Sequence, residues 1–283
     1  MKRENGFVSS KLARFTGRVV SLAQKAVVGE PAPAFAPGET GYADWVIVAL
    51  HGLREYLGHS YRQLLDVLHE MPRIVSKLDL AVAELPDFTT VCTRMKNLEM
   101  ARWRVLLRLS ADLHETGDVH AIDATGFDRR AASRRYARRT NYTFRAVKTT
   151  VLVDCDTSII LDIHCSMKRP HDTQIGEQLL KRNLDRLEII TADKGYDWDD
   201  LRRKLRKADV RPVIKHREFS SLDAAHNARL DDETYHRRSV VESVIHSLKQ
   251  RFGDTLRART WFGQFRELAL KAAVKNIEAA LSA

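Results

Sequence analysis

The chain has 283 residues, enough for about two domains, and its 44% hydrophobic content excludes a disordered polymer. Its 47 basic and 37 acidic side chains give a net charge of +10, which favours polyanionic partners and nucleic acid first. Cys92, Cys155 and Cys165 form no CxxC pair, which disfavours a disulfide scaffold or a zinc finger. The apolar runs are too short to span a bilayer. We therefore expect a cytoplasmic protein without membrane contact.

Composition divides the chain into four segments. Residues 29–41 contain three prolines and three glycines, which indicates a linker. The segment before it, residues 1–28, is predicted to be a helical arm. The segment after it, residues 42–116, has helical periodicity and is predicted to be a helical domain. Residues 117–283 then form a separate α/β domain.

The helical domain has recognisable helix boundaries. Ser60 is predicted to cap a helix that ends at Met71-Pro72, and Thr89 or Thr90 is predicted to cap another. A helix-turn-helix that binds DNA is one interpretation of this arrangement. Residues 1–118 carry a net charge of only +1, which argues against this domain as the main phosphate contact.

The second half of the chain changes to β-branched, alternating segments that predict strands. Three strands come first, and helices and strands then alternate, with Asp172 predicted to cap the first of these helices. Two long helices close the chain. The predicted strands are Val119 to Phe127, Phe144 to Cys155, Ser158 to Met167, Leu187 to Ala192 and Arg211 to Lys215; the predicted helices are Asp172 to Leu184, Trp198 to Lys207, Tyr235 to Phe252 and Phe262 to Leu281. This order predicts a ribonuclease H-like core, a mixed five-stranded sheet with flanking helices, preceded by the helical N-terminal domain.

Most of the positive charge lies in this second half. Residues 119–283 carry +9 of the net charge, and residues 129–150 contain eight basic side chains and no acidic one. Such a run is often a solvated loop, but aromatic residues lie among the arginines, as base stacking would require. Arginine also suits bidentate contacts to phosphate. We therefore predict DNA contacts from this run, chiefly from Arg129, Arg130, Arg134, Arg135, Arg138 and Arg139.

Three acidic residues occupy positions where catalytic groups are commonly found. Asp123 lies within the first predicted strand, flanked by apolar residues, where an ionised carboxylate without a partner would be costly. Asp193 follows the fourth predicted strand, and Glu242 lies in the long helix that follows. Carboxylates gathered around one cleft are hard oxygen ligands, which favour Mg²⁺ or Mn²⁺ over zinc.

The long helix has a polar stripe beside its apolar face. At 100° per residue, Tyr235, Arg238, Glu242, His246 and Lys249 fall within an arc of about 80°. The valines, Ile245 and Leu248 fall in a different sector, which would pack on the sheet. An ordinary amphipathic helix with an Arg-Glu pair four residues apart explains the same pattern, so the helix alone leaves both interpretations open.

Taken together, these motifs resemble a known family. Tyr235, Arg238, Glu242 and Lys249 fit the Y-x2-R-x3-E-x6-K signature of insertion-sequence transposases. With Asp123 in Ile-Asp-Ala-Thr-Gly-Phe and Asp193 in Ala-Asp-Lys-Gly-Tyr-Asp, residues 119–277 resemble the Asp-Asp-Glu (DDE) transposases of the insertion-sequence four/five group. The 49 residues from Asp193 to Glu242 leave no room for the large β insertion of some relatives.

The resemblance implies a function and a set of partners. Asp123, Asp193 and Glu242 would be the catalytic residues and would hold Mg²⁺ or Mn²⁺, with two ions expected. Water would cut double-stranded DNA at the terminal inverted repeats, and the freed 3′-hydroxyl would attack target DNA. Arg238 and Lys249 would hold phosphates and Tyr235 would add a hydrogen bond or stacking, in an active homodimer. Two alternatives remain: a silent DNA-binding relic of a transposase, and a ribonuclease H-like nuclease or resolvase without strand transfer.

Overall fold

A computed structural model describes residues 9–35, 41–129, 146–166 and 171–282 of the chain. The chain divides into two compact units, one formed by Met1–Leu113 with Ala273–Ala283 and the other by His114–Ala272. The first unit groups the N-terminal helix with the helices beyond the proline-rich segment, whereas the sequence separated them at residues 29–41. Among the described residues, no helix has the length and hydropathy needed to cross a membrane.

The first unit is helical in its described residues. Its helices are α1 (Lys11–Val27), α2 (Asp44–Leu57), α3 (Tyr61–His69), α4 (Pro72–Val75), α5 (Phe88–Asn97) and α6 (Met100–Ala111). Ser60 caps α3 as predicted, in a reciprocal capping box with Gln63. The predicted cap of α5 was wrong, because Asp87 accepts the backbone N–H of Thr89 at 2.8 Å and starts the helix two or three residues earlier than expected.

Helices α1 and α2 pack closely because α2 has a glycine where it faces α1. Phe15 of α1 stacks on Tyr56 of α2 with ring centroids 4.0 Å apart. At Gly52 of α2 a Cβ atom would lie 2.5 Å from Cγ2 of Val19, which is fully buried in α1. The missing side chain therefore allows the close approach of the two helices, and the apolar core of this unit depends on it.

The second unit is built on a mixed sheet. Its strands are β1 (Val119–Arg129), β2 (Val147–Asp154), β3 (Ile160–Ser166), β4 (Ile189–Ala192), β5 (Arg211–Ile214) and the short β6 (Thr255–Leu256). The strand order is β3-β2-β1-β4-β5, and β6 pairs with the end of β1. β1, β2 and β3 are antiparallel, while β4 and β5 run parallel to β1. The predicted mixed α/β sheet with flanking helices is confirmed, with β6 as an addition.

The helices of this unit are α7 (Asp172–Lys181), α8 (Asp199–Lys207), α9 (Ser221–Ala228), α10 (Asp232–His236), α11 (Ser239–Phe252) and α12 (Trp261–Ala280), the last of which ends in the first unit. Helix α9 was not predicted. Asp172 is the first residue of α7 rather than its cap, since the side chain of His171 accepts the N–H of Thr173. Short 3₁₀ turns follow α7 and β4.

The helix predicted from Tyr235 to Phe252 is broken in the structure. Helix α10 ends at His236, and Arg238 is the N-cap of α11. The two pieces serve different surfaces: the carbonyl of Tyr235 accepts the Thr191 hydroxyl of β4, whereas α11 lies against β1 and β2. Tertiary packing therefore overrides the helical pattern, and Tyr235 does not share a helix with Glu242.

Gly52→Ala should lower the free energy of unfolding by about 1–3 kcal/mol, because the new methyl group overlaps Val19 and forces a shift in a packed core. Urea denaturation followed by circular dichroism measures the change.

Gly17→Ala is the matched control. Its Cβ would meet nothing nearer than the Lys77 ammonium at 4.0 Å, so the better helix propensity of alanine should stabilise α1 by about 0.5–1 kcal/mol. Equal effects of the two substitutions would contradict the packing account.

Candidate functional site

Neighbouring parallel strands place the two aspartates. In the register of β1 with β4, Ile122 lies opposite Ala192. Asp123 and Asp193 are the next residues along each chain, so both leave this strand pair at the same level. Asp123 lies within β1 and is half-buried, while Asp193 starts a 3₁₀ turn and accepts the N–H of Gly195 at 2.7 Å. The two carboxylates therefore lie at the level where β4 ends beside β1.

Glu242 reaches the site from α11. The apolar residues Val241, Val244, Ile245 and Leu248 of this helix are buried, and α11 contacts β1 and β2. Glu242 lies in its first turn, where the helix dipole favours an anion. Its Oε1 accepts a hydrogen bond from Nη1 of Arg238 at 2.8 Å, and 57% of its side chain is exposed.

The electrostatics of Asp123 show that the carboxylates interact. Burial, together with the negative charges of Asp193, Glu242 and Asp172, raises the pKa of Asp123 to about 6, against a hydrogen bond from the Ala124 N–H that lowers it. A raised pKa with nearby charge partners is typical of functional sites. The structure thus brings Asp123, Asp193 and Glu242 into one electrostatic cluster, and it adds Asp172.

The donor set fits a hard divalent cation by its chemistry, because carboxylate oxygens are the ligands that Mg²⁺ and Mn²⁺ prefer. In the described part of the chain, no three acidic, histidine or cysteine side chains converge at metal-ligand spacing. Glu242 must turn from Arg238 before it can share an ion with the aspartates.

A lysine ammonium lies on the same face of β1 as Asp123. Lys249, on α11, donates from Nζ to the Thr125 hydroxyl at 2.7 Å and lies 5.2 Å from the Phe127 ring centroid. Thr125 and Phe127 follow Asp123 at intervals of two along β1, so all three share one face of the sheet. Lys249 is therefore held on the Asp123 face of β1.

The other predicted DNA-binding residues are distributed differently. Tyr235 is buried, with its ring centroid 4.4 Å from Nζ of Lys215 and 5.4 Å from Cζ of Arg238. Its ring therefore supports two cations and leaves little surface for a base. Arg129 ends β1 opposite Leu256 of β6. The remaining predicted arginines, Arg130, Arg134, Arg135, Arg138 and Arg139, lie outside the described residues.

Sequence reasoning missed an ion pair at the edge of the site. Nζ of Lys148 on β2 lies 2.5 Å from Oδ1 of Asp172 at the start of α7. A cavity of about 300 Å³ adjoins the pair and is lined by Ala124, Thr125, Gly126, Ala146, Lys148 and Asp172. Lys148 is visible in the sequence as the last cation of the basic run. Its position beside the site depends on the register of β1 with β2, which places Lys148 opposite Gly126 and which the sequence does not show.

Comparison with known proteins identifies the family. The model of the transposase DDE domain family matches residues 114–277, and the chain belongs to this family. Among solved structures, the chain is similar to the piggyBac transposase, solved by cryo-electron microscopy as a synaptic complex with hairpin DNA. That similarity has a TM-score of 0.47 and 11% sequence identity, over 99% of this chain and 69% of the other.

Asp123→Asn should remove a pH-dependent loss of stability. The folded-state pKa of Asp123 is about 6, above its ordinary value of 3.8. The folded wild type therefore loses stability as the pH rises from about 4 through 6. The gain from the substitution should therefore grow by about 1 kcal/mol between pH 5 and pH 7.5, after allowance for solvent screening of a half-buried group. Urea denaturation in EDTA at the two pH values measures it.

Asp128→Asn, on an exposed residue of the same strand, is the control and should show no such growth. A pH-independent effect of Asp123→Asn would contradict the electrostatic cluster.

Proposed function

We propose that this chain is the transposase of an insertion sequence of the four/five group, which cleaves DNA at the element ends and joins them to target DNA. The observation that carries the proposal is the acidic cluster at Asp123. The negative charges of Asp193 and Glu242 act on this half-buried carboxylate. These acidic residues come from β1, the end of β4 and α11, within the segment that matches the transposase DDE domain family.

A ribonuclease H-like catalytic core at residues 117–283 accounts for the topology. Three antiparallel strands are followed by two parallel strands that alternate with helices, in the order β3-β2-β1-β4-β5. This order puts β1 at the centre of the sheet, and β1 carries Asp123. The helices of residues 1–28 and 42–116, joined through residues 29–41, would serve together as an accessory helical domain, since α1 packs on α2.

Asp123, Asp193 and Glu242 would hold Mg²⁺ or Mn²⁺, and two ions would activate the attacking oxygen and stabilise the leaving oxygen of an in-line phosphoryl transfer. Arg238 would then be released from Glu242 to contact a phosphate of the DNA. Arg238 Nη1 donates to Glu242 Oε1 at 2.8 Å. Glu242 would therefore release the Arg238 guanidinium whenever its carboxylate turned to bind a divalent ion. Lys249 would hold a second phosphate on the Asp123 face.

Tyr235 would act by supporting Arg238 and Lys215 from a buried position. Arg129 and the arginines at positions 130, 134, 135, 138 and 139 would bind double-stranded DNA through its phosphates. In the first step water attacks the phosphodiester at the element end, and the bond to the 3′-oxygen breaks. In the second step that 3′-hydroxyl attacks a target phosphodiester, which releases the target's own 3′-oxygen. A homodimer would bring the two ends together.

Glu242→Gln should abolish strand cleavage while keeping the fold and DNA binding. The half-exposed pair with Arg238 contributes a few tenths of a kcal/mol, whereas the lost carboxylate should slow cleavage about 10³-fold. The assay measures nicking of duplexes that carry the inverted repeats flanking the coding sequence, in Mg²⁺ and in Mn²⁺, with binding followed by fluorescence anisotropy.

Glu233→Gln in α10 is the matched control, because Glu233 is exposed and lies outside the cluster. Wild-type nicking by Glu242→Gln would contradict the assignment.

A strand-transfer assay with pre-cleaved ends separates the proposal from its two alternatives. The transposase should join the 3′ end to a target duplex. Cleavage without joining would indicate a nuclease or resolvase, and binding without either reaction would indicate a relic.

A further inference from the structure

A basic surface with an exposed aromatic ring follows β6. Residues 251–266 contain four basic side chains and one acidic one. Arg257, Arg259 and Phe262 are exposed, and the exposed fraction of Phe262 is 59%. An exposed phenyl ring among cations is the pattern that surfaces for nucleic-acid stacking share. Residues 257–262 are therefore a candidate binding surface.

A buried ion pair fixes the backbone of this surface. Nζ of Lys271 lies 2.8 Å from Oε1 of Glu267, and both side chains are almost fully buried. The Glu267 carboxylate also accepts the backbone N–H of Arg257 at 3.0 Å and that of Ala258 at 2.8 Å. Burying two charges is costly. Here the pair holds an exposed segment in one conformation, which is the property of a preorganised binding surface.

A helix cap orders the aromatic end of the same surface. The Thr260 hydroxyl accepts the N–H of Gly263 at 3.1 Å, and the Thr260 carbonyl accepts the N–H of Gln264 at 2.9 Å. Nε2 of Gln264 donates in turn to the carbonyl of Ala258 at 3.0 Å. Phe262 lies in this capped first turn of α12, so its exposed ring is carried by an ordered helix start.

Strand β6 places this surface in line with the carboxylate site. Leu256 pairs in parallel with Arg129, so residues 257–262 continue past the end of β1. Arg129 shares the Asp123 face of β1 and lies six residues further along, a distance of about 20 Å at the usual rise per residue. Successive phosphates of one DNA strand are about 3.4 Å apart along the helix axis, so this length spans about six base steps.

Charge and spacing favour DNA as the occupant of this surface. Guanidinium groups bind phosphates through paired hydrogen bonds, and aromatic rings stack on bases. The surface and the carboxylate cluster belong to one compact unit, His114–Ala272. A duplex that reached Asp123 along this face of β1 would pass Arg129 and come next to residues 257–262.

We propose that residues 257–262 are a second DNA contact, about six base steps from the bond that is cut, with Arg257 and Arg259 on phosphates and Phe262 against an unstacked base. This position rests on the proposed function, because it takes Asp123 as the point of cleavage. The contact would hold the DNA in register while the carboxylates act on it.

The salt dependence of DNA binding tests the two arginines. The probe is a fluorescent duplex that carries the inverted repeat and its flank, titrated with the full chain in EDTA so that no strand is cut. The double variant Arg257→Ala/Arg259→Ala should reduce the slope of log K against log salt by about 1.8, since each phosphate contact contributes about 0.9. Ethylation of the phosphates about six steps from the cut should weaken binding by the wild type and not by this variant.

The double variant Arg206→Ala/Lys207→Ala is the matched control, because it removes two exposed cations from α8 of the same unit. Its salt slope should equal that of the wild type. An equal decrease in both double variants would show general attraction to positive charge and would overturn the contact.

Phe262→Ala should weaken binding about tenfold at an unchanged salt slope, because the lost stacking contact carries no charge. Phe262→Tyr keeps a ring and should bind like the wild type. Both variants should keep the wild-type unfolding midpoint, since the ring is largely exposed. Wild-type affinity in Phe262→Ala would overturn the stacking role.

Two outcomes separate this contact from the proposed function. Wild-type slope and affinity in Arg257→Ala/Arg259→Ala, together with nicking by the wild type, would overturn the contact alone. Duplex binding that depends on Arg257 and Arg259, without any nicking by the wild type in Mg²⁺ or Mn²⁺, would support the contact and overturn the proposed cleavage.

Discussion

The site depends on a costly placement: a carboxylate within the central strand of a mixed sheet. Asp123 lies on β1 between the antiparallel β2 and the parallel β4, and the pairing with β4 brings Asp193 to the same level. Burial and neighbouring charges then oppose ionisation of Asp123 and raise its pKa to about 6. Under the proposed function, a divalent cation bound at this point would offset the cost. The other charged groups of the site are best understood in relation to the negative charge of Asp123.

Helix α11 and its N-cap residue supply three of these charged groups. Its buried apolar face fixes it against β1 and β2, and its first turn carries Glu242, whose charge acts on Asp123. Two turns later, Lys249 reaches back to the Thr125 hydroxyl on the Asp123 face of β1. Arg238 caps the helix and neutralises Glu242. One helix therefore carries a third acidic group and two cations, which links the negative cluster to groups that can bind phosphate.

The sequence predicted the features that depend on local pattern. Ser60 at the start of α3 and the β-branched strands that form the sheet follow from capping and periodicity. The break between α10 and α11 could not be predicted, because Tyr235 is drawn toward β4 and β5 by tertiary contacts that leave no trace in helical spacing. The pairing of Lys148 with Asp172, and the hydrogen bonds of Glu267 to the backbone after β6, depend on register and helix placement, which sequence alone does not fix.

Iron-mediated cleavage of the protein tests most directly whether Asp123, Asp193 and Glu242 serve one divalent ion site. Fe²⁺ that occupies a Mg²⁺ site generates hydroxyl radicals with ascorbate and peroxide, and these cut the nearby polypeptide. We expect cuts in β1 near Asp123, in the turn after β4 and in the first turn of α11, all suppressed by excess Mg²⁺. Cuts at one of these segments alone, or cuts elsewhere that Mg²⁺ does not suppress, would contradict a shared site.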